Sequence, residues 1–245
     1  MKAEQDTLRI TGLRKSYGET EAVRGISFAV HANEILAILG PNGAGKTTTI
    51  NCLAGLIRSD GGTLFVKGVE RAVADKEFIG LCPQEIIIWE HLTVLEQLLF
   101  IGSLYRIPKK ECRMKAVRLL DALGLIEKQN ARGSALSGGM KRRLNIALSL
   151  VHDPGIIILD EPEAGLDPQS RLLVRNFLAE QARHRSVILT THNMDEAQRL
   201  AGRVVLIDCG VIIAEGSVQD LLEQNGCRDL EEVFFKLTGR TLRDN

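Results

Sequence analysis

The feature that most constrains this chain is a glycine-rich segment that directly follows a short apolar run. Glu34 to Leu39 is typical of a buried strand, and Gly40-Pro41-Asn42-Gly43-Ala44-Gly45-Lys46-Thr47 comes next. The glycines let the backbone turn tightly, so that successive N–H groups converge on one point. Thr47 to Leu56 then has the apolar period of a helix, whose positive N-terminal end points at the same place. The sequence therefore predicts a strand, an anion-binding loop and a helix in that order.

The same segment matches G-x-x-x-x-G-K-[ST], the Walker A pattern of proteins that bind nucleoside triphosphates. Lys46 is then expected to reach the β- and γ-phosphates as a point charge, and the Thr47 hydroxyl to ligate Mg²⁺. The alternative interpretation is a chance glycine loop between a strand and a helix. Because the pattern fixes four positions in the required context, the nucleotide is favoured.

A second apolar run ends in acids. Ile156 to Leu159 leads into Asp160, Glu161 and Pro162. Ligands of open α/β sheets bind at the carboxyl ends of the strands, so these acids are expected to face the glycine-rich loop. Asp160 would hold Mg²⁺, and Glu161 would orient and polarise an attacking water as general base. The alternative is a pair of acids that caps a turn.

The remainder of the chain alternates strand and helix patterns. Further strands are predicted at Thr7–Thr11, Ala22–Val30, Gly61–Val66, Ser186–Thr190 and, as a hairpin, Val204–Ile207 with Val211–Ala214. Helical spacing runs from Thr93 to Leu125 with a break at Arg106-Ile107-Pro108, over Ser170–Arg183, and in a tail from Ser217. We therefore predict a helical lobe inserted into an α/β core.

The composition is that of a globular α/β domain. The 245 residues are 44% hydrophobic and 25% charged with a formal net charge of +0, which gives no general attraction to nucleic acid or an anionic membrane. The five cysteines are widely spaced, so reduced thiols packed as small apolar side chains are expected. No apolar run approaches the roughly 20 residues that span a bilayer, and the N-terminus lacks a signal-peptide core. The chain is accordingly expected in the cytoplasm.

Between the two predicted phosphate-site segments stands Leu136-Ser137-Gly138-Gly139-Met140-Lys141-Arg142-Arg143. Taken alone, this segment indicates a turn that starts a helix, with Ser137 as the N-cap. With the Walker A loop before it and Asp160 after it, the sequence resembles the ABC ATPase family, whose signature is L-S-G-G-Q. The resemblance implies that Ser137, Gly138 and Gly139 contact, in trans, the ATP of a second subunit.

Four more segments extend the resemblance over nearly the whole chain. Tyr17 matches the position that stacks on adenine, and Gln84 in Cys82-Pro83-Gln84 matches the Q-loop residue that contacts Mg²⁺ or the lytic water. Asp167 in Ala164-Gly165-Leu166-Asp167 matches the D-loop at the dimer interface. His192, after Thr190 and Thr191, matches the switch histidine of the γ-phosphate. Taken alone, each also has a structural interpretation. Tyr17 is then a strand residue, Gln84 part of a turn, Asp167 the start of a helix and His192 a loop histidine.

The resemblance implies an α/β fold of the P-loop NTPase (RecA-like) type, with an N-terminal antiparallel β-subdomain and an inserted α-helical subdomain. Residues 1–245 would form a single ABC ATPase domain, with a catalytic core (1–88 and 151–216), a helical signature subdomain (about 89–150) and a helical tail (217–245). The implied cofactors are ATP and Mg²⁺. ATP would be bound by Tyr17 and by Gly40 to Thr48. Mg²⁺ would be held by Thr47, Gln84 and Asp160. The catalytic residues would be Lys46, Gln84, Glu161 and His192.

The implied function is that of an ATP-hydrolysing subunit that dimerises on ATP, with itself or a homologue, and drives transport through separate integral membrane permease subunits. It would bind no nucleic acid and would not touch the transported substrate. The Met-Lys-Arg-Arg signature and the segment Leu230 to Arg240 are similar to drug-efflux-type (ABC-2-type) exporter ATPases, which favours export over import. A soluble ABC ATPase acting on DNA or ribosomes is the alternative. Such proteins usually carry two cassettes or a long coiled-coil insertion, and this chain has neither.

Two features bear on the details of the site. Glu163 stands where the family usually has threonine; because a carboxylate facing the nucleotide would repel phosphate, we expect Glu163 to point to solvent. Trp89, which follows the Q-loop, is expected either to pack the helical lobe or to line an exposed apolar groove for a membrane partner.

Overall fold

The computed structural model of the protein describes residues 6–71 and 77–239. Three segments lie outside this description: residues 1–5, 72–76 and 240–245. The predictions about a signal peptide and about the end of the helical tail fall in part on the first and last of these segments. No helix within the two described ranges combines the length and apolar character needed to cross a bilayer.

The elements follow the predicted order, with three additions. The strands are β1 (Asp6–Tyr17), β2 (Thr20–His31), β3 (Ile35–Leu39), β4 (Gly61–Val66), β5 (Val69–Arg71), β6 (Ile79–Cys82), β7 (Ile156–Asp160), β8 (Ser186–Thr191), β9 (Arg203–Asp208) and β10 (Val211–Ser217). The helices are α1 (Lys46–Leu53), α2 (Val94–Leu104), α3 (Lys109–Ala122), α4 (Gly138–Leu148), α5 (Pro168–Gln181), α6 (Met194–Leu200), α7 (Val218–Asn225) and α8 (Leu230–Thr238). The sequence did not predict β5, β6 or α6.

The central sheet has the strand order β10-β9-β3-β8-β7-β6, and each neighbouring pair except β10 with β9 is parallel. Side chains alternate between the two faces of a strand. In β3, Ile35, Ala37 and Leu39 therefore join one buried cluster, whereas Leu36 and Ile38 join another. This double burial is why the strand reads as a continuous apolar run.

The second sheet is antiparallel, with the order β2-β1-β4-β5. Its inward residues and those of α1 share a buried cluster with Leu36 and Ile38, so this sheet and α1 cover one face of the central sheet. The predicted antiparallel subdomain is confirmed. Its first two strands are longer than predicted, because Tyr17 pairs with Thr20 across a tight turn.

Helices α2, α3 and α4 form the predicted helical insertion. Thr93 caps α2, since its hydroxyl accepts from the Glu96 N–H while the Glu96 carboxylate accepts from the Thr93 N–H. The chain turns between α2 and α3 at Arg106, where φ is 57°. Leu98 and Leu120 are fully buried in the same cluster as β3 and β7 residues. The insertion and the central sheet thus share one apolar interior.

The cysteines match their prediction in part. Cys82 and Cys112 are buried among apolar side chains, and burial raises the pKa of the Cys82 thiol to about 12. Cys209 is exposed, so the expectation that all five pack as small apolar residues is wrong for that position.

Candidate nucleotide-binding and hydrolysis site

The glycine-rich loop owes its shape to two close approaches of backbone to backbone. Gly40 has a φ of 156°, and a Cβ atom there would overlap the carbonyl oxygen of Ile207 in β9. Gly45 has a φ of 101°, and its Cβ would overlap the carbonyl oxygen of Ala22 in β2. Only glycine fits at both positions. Because of them the loop can pass between β9 and β2 and begin α1 at Lys46.

The Lys46 side chain is buried and folds back over the loop. Its ammonium donates to the carbonyl of Gly40 at 2.8 Å and to that of Pro41 at 2.9 Å. Burial lowers the pKa of Lys46, and the negative charges of Glu161 and Asp160 oppose that shift. A phosphate oxygen forms a stronger, charge-assisted hydrogen bond than a carbonyl does, so the ammonium can exchange its loop partners for a phosphate.

Asp160, at the end of β7, has both carboxylate oxygens engaged. Its Oδ2 accepts from the Thr47 hydroxyl at 2.9 Å, and its Oδ1 accepts from the hydroxyl of Thr190 in β8. Two neighbouring ligands of an octahedral Mg²⁺ ion, each about 2.1 Å from the metal, stand about 3.0 Å apart. The separation of the Thr47 and Asp160 oxygens therefore fits a shared Mg²⁺. Thr190 had no predicted role beyond its place beside His192.

Glu161 is buried and has a φ of 50°, which is uncommon for a residue other than glycine. Its N–H donates to the carbonyl oxygen of Thr190 at 3.1 Å and to the hydroxyl oxygen of the same residue at 3.2 Å. Its Oε1 accepts a hydrogen bond from the Nδ1 of His192 at 2.9 Å, and the His192 side chain is 60% exposed. The predicted general base and the predicted switch histidine are thus in direct contact.

Arg142 is a residue of this region to which the motifs gave no role. It lies on α4, is 2% exposed, and donates to the carbonyls of Pro83 at 3.0 Å, Gln84 at 2.7 Å and Asp160 at 3.2 Å. A fourth hydrogen bond goes to the carbonyl of Glu161. One signal in the sequence could have identified Arg142. It is a basic residue on the face of α4 that the spacing of the apolar residues of that helix predicts to be buried.

The signature loop lies at an exposed helix N-terminus. Ser137 and Gly138 are exposed, and the Ser137 hydroxyl caps α4. A Cβ added at Gly139 would come within 3.9 Å of the Asp167 carboxylate, so the signature adjoins the predicted D-loop of the same chain. Asp167 caps α5, and hydrogen bonds from Ser170 lower the pKa of the Asp167 carboxyl.

Tyr17 and Gln84 are also on the surface. The Tyr17 ring lies at the end of β1 with the Lys15 ammonium 5.7 Å from its centroid, and its exposure leaves room for a stacked planar group. Gln84 is held through its main-chain carbonyl by Arg142, while the residue as a whole is exposed. The predicted residues that contact one another directly are Lys46 with its loop, Thr47 with Asp160, and Glu161 with His192.

The prediction that Glu163 points to solvent is wrong. Both of its carboxylate oxygens are buried, and burial together with the neighbouring Glu196 carboxyl raises the pKa of Glu163 to about 7. The positive charges of Arg175 and Arg171 oppose the shift, and Arg175 also pairs with Glu196. The cause is α6, which the sequence did not predict and which brings Glu196 to Glu163.

An apolar groove of about 440 Å³ opens where the Q-loop meets the helical insertion. Its apolar lining includes Ile79, Leu81, Ile87, Trp89, Ile101 and Leu104. Trp89 is 37% exposed and contacts Phe100 edge to face, with ring centroids 5.2 Å apart. Trp89 therefore packs against the helical insertion, as one alternative predicted, and also lines an apolar groove. That the groove serves a membrane partner stays a prediction.

The chain belongs to the ABC transporter family, whose sequence profile, described as ABC transporter, matches residues 23–164. A solved structure described as the ATP binding subunit of an ABC transporter superposes with a TM-score of 0.86 at 27% identity, covering 95% of this chain and 99% of that one. MJ1267, an ATP-binding cassette of an ABC transporter in its ADP conformation, gives a TM-score of 0.80 at 26% identity over 94% of this chain and 98% of that one. The predicted P-loop NTPase fold is confirmed.

Among its relatives is the linearmycin resistance ATP-binding protein LnrL of Bacillus subtilis (strain 168), 40% identical over 228 residues, or 89% of this chain and 72% of that protein. The Nod factor export ATP-binding protein I of Paraburkholderia xenovorans (strain LB400) is 43% identical over 227 residues, or 91% of this chain and 74% of that protein. This chain is an ATP-binding, ATP-hydrolysing subunit of an ABC transporter. The alternative of an ABC ATPase acting on DNA or ribosomes is not supported.

Proposed function

We propose that two copies of this chain, or this chain and a homologous subunit, close around two ATP molecules and drive export through separate permease subunits. One observation carries the pairing: the signature loop and the D-loop share an exposed face, whereas Asp160 and Glu161 of the same chain are buried. Ser137 stands at a helix N-terminus, where free N–H groups and the helix dipole stabilise an anion. In this proposal that anion is the phosphate of the other subunit's ATP, and Asp167 lies at the dimer interface.

Within one subunit, Gly40 to Thr48 hold the triphosphate, with Lys46 at the β- and γ-phosphates and Tyr17 stacked on adenine. Mg²⁺, held by Thr47, Asp160 and Gln84, would neutralise the charge that develops on the transferred phosphoryl group. The fit of the Thr47 and Asp160 oxygens to a metal supports this part of the proposal.

Glu161 orients and polarises the attacking water, and His192 controls when it does so. In this structure the Nδ1–H of His192 donates to Glu161. A γ-phosphate that accepted this hydrogen bond instead would free the Glu161 carboxylate to accept one from water. Hydrolysis then removes the γ-phosphate contact, and the paired subunits separate as a ligand-biased two-state switch.

The apolar groove beside the Q-loop is proposed to receive a short helix of the permease. Helices that bind in grooves do so through a few apolar anchors, and the lining here is apolar with Trp89 partly exposed. Gln84 and Trp89 are five residues apart, so a helix bound in the groove lies next to the Q-loop. Nucleotide-dependent movement of the Q-loop would reach the permease by this contact.

The direction of transport and the place of action complete the proposal. Export is supported by the relatives, of which one is named for Nod factor export and one for linearmycin resistance. The chain would act in the cytoplasm, held at the inner face of the membrane by the permease. The division into a core (1–88 and 151–216), a helical signature subdomain (about 89–150) and a helical tail (217–245) belongs to the same proposal.

The substitution Glu161→Gln tests the proposal. It preserves the shape of the side chain but removes the base, so turnover should fall by about 100-fold or more. ATP binding, measured by calorimetry, should persist, and ATP should now trap a dimer detectable by light scattering. Glu163→Gln is the matched control, because it neutralises a carboxylate two positions away that faces Glu196. It should hydrolyse ATP at the wild-type rate.

Two results would contradict the proposal. Wild-type turnover by Glu161→Gln would exclude Glu161 as the base. A Glu161→Gln protein that binds ATP but stays monomeric at high concentration would remove the paired arrangement while leaving the chemistry of the single subunit intact.

A further inference from the structure

Helix α4, which begins at the signature loop, also holds the backbone of this subunit's own hydrolysis residues. The contact is Arg142, whose guanidinium meets four main-chain carbonyls. Among the residues that the structure describes, no carboxylate forms an ion pair with it. A buried charge costs free energy that an apolar side chain would not, so filling space does not account for an arginine here. What the arginine adds is the set of four hydrogen bonds.

The four carbonyls belong to two segments that both serve hydrolysis. Pro83 and Gln84 follow β6, and Asp160 and Glu161 end β7. These strands are parallel neighbours, so the two segments leave the sheet side by side. The planar fork of a guanidinium can hold both pairs at once, one Nη group for each pair. The backbone positions of Gln84 and Glu161 are thereby tied to one side chain of α4.

A second side chain of α4 strengthens this connection. Asn145 is buried and lies three residues after Arg142, on the same face of the helix. Its Oδ1 accepts a hydrogen bond from the Ile87 N–H at 3.3 Å, and its Nδ2 donates one to the Glu85 carbonyl at 3.3 Å. The segment from Pro83 to Ile87 is therefore bound to α4 at two points. A displacement of α4 moves this segment with it.

Arg142 lies five residues after Ser137, which is about 7.5 Å along a helix axis. We propose that Arg142 is a positioning residue that couples the two ATP sites. When Ser137 engages the ATP of the other subunit, α4 shifts, and Arg142 carries the shift to Gln84 and Glu161 of its own site. Hydrolysis in one site then depends on ATP in the other. This inference rests on the paired arrangement proposed above.

The test measures ATP hydrolysis against ATP concentration for the wild type and Arg142→Lys. A lysine ammonium keeps the charge but lacks the planar fork needed to hold both carbonyl pairs. We expect kcat to fall about 10- to 100-fold, the scale of a catalytic group displaced by about 1 Å, and the Hill coefficient to fall to one. Affinity of the monomer for ATP should stay within about twofold, because the Walker A loop is a separate set of contacts.

Arg185→Lys is the matched control. Arg185 also donates through both Nη groups, to the carbonyl of Pro154 and the carboxylate of Asp153, and neither partner belongs to the ATP site or the signature. This variant should keep the wild-type kcat and Hill coefficient even if it melts at a lower temperature. An equal loss of kcat and cooperativity in Arg185→Lys would overturn the specific role of Arg142.

A spectroscopic readout separates coupling from folding. Trp89 is the only tryptophan of the chain. It follows the segment that Arg142 and Asn145 bind, and its N–H and its carbonyl each form a 3.0 Å hydrogen bond with the Gln97 side chain. Addition of Mg-ATP should change its emission in the wild type and in Arg185→Lys, but much less in Arg142→Lys. If Arg142→Lys does not fold, Arg142→Gln takes its place: its shorter amide can hold at most one of the two carbonyl pairs, so it should lose the same cooperativity and emission change.

The outcomes distinguish this inference from the proposal on which it rests. If the wild type and Glu161→Gln never dimerise on ATP, the pairing itself fails. If they do dimerise, but Arg142→Lys (or Arg142→Gln in its place) retains the wild-type kcat, Hill coefficient and Trp89 response, only the coupling role is overturned.

Discussion

Thr190 provides the sharpest test of how the acidic end of the site is held together. The side chain is fully buried on β8; its hydroxyl donates to Asp160 Oδ1 and accepts from the Glu161 N–H. Thr190→Val keeps the shape of the side chain and leaves no cavity. The substitution therefore removes a hydrogen bond to a charged acceptor and little else.

The expected loss follows from which groups remain satisfied. The Glu161 N–H keeps the Thr190 carbonyl at 3.1 Å, and Asp160 keeps the Thr47 hydroxyl at 2.9 Å on its other oxygen. Only Asp160 Oδ1 is left buried without its partner. A hydrogen bond to a charged group is worth about 1.5–3 kcal/mol, so the free energy of unfolding should fall by about 2 kcal/mol. For a chain of this size that is a drop of about 4–8 °C in Tm.

The assay is thermal unfolding without nucleotide, with Thr49→Val as the matched control. Thr49 is also fully buried, but its hydroxyl donates to the Gly45 carbonyl, which already accepts the Thr49 N–H at 2.9 Å. That acceptor is neutral and stays satisfied, so the control should lose about 1 kcal/mol or less. The difference between the variants isolates the contribution of the Asp160 charge.

Equal Tm values for Thr190→Val and Thr49→Val, or a Thr190→Val protein that melts with the wild type, would refute the reasoning. Turnover supplies a second check. Since Asp160 loses one of its two restraints, Thr190→Val should also hydrolyse ATP more slowly, and Thr190→Ser, which restores the hydroxyl, should recover most of the rate.

Three further predictions concern other parts of the molecule. Gly40→Ala should abolish ATP binding in a calorimetric titration, because its Cβ would overlap the Ile207 carbonyl and its φ is 156°. Because burial and Glu196 raise the pKa of Glu163 from 4.5 to about 7, the folded chain retains a proton that the unfolded chain loses, so the contribution of Glu163 to stability should fall as the pH rises from about 4.5 to about 7. Glu163→Gln should flatten that part of the profile in urea titrations, and an unchanged profile would contradict it. Leu120→Ala, at a fully buried position of the helical insertion, should cost about 2–5 kcal/mol in the same titrations.

Local residue patterns in the sequence were enough to predict the glycine-rich loop and two of the central strands. The glycines at positions 40 and 45 stand where only glycine fits. Together with Lys46 and Thr47 and the apolar run before them, they made the loop between β3 and α1 predictable from the sequence. The apolar runs of β3 and β7 are continuous because both faces are covered, and this too is visible in the residues. The strand β6 escaped prediction because it is four residues long and contains Gly80.

The tertiary structure decided which of these segments meet. In the central sheet β8 lies between β3 and β7, so Thr190 of β8 is paired with Asp160 of β7 and binds its carboxylate. Strand order is set by contacts between residues far apart in the chain, and no local pattern encodes it. The same holds for Arg142, which meets backbone about 20 and 60 positions away, and for Glu163, which faces Glu196. The sequence by itself determined the glycine-rich loop and the acids; the packing of distant elements determined how they are held.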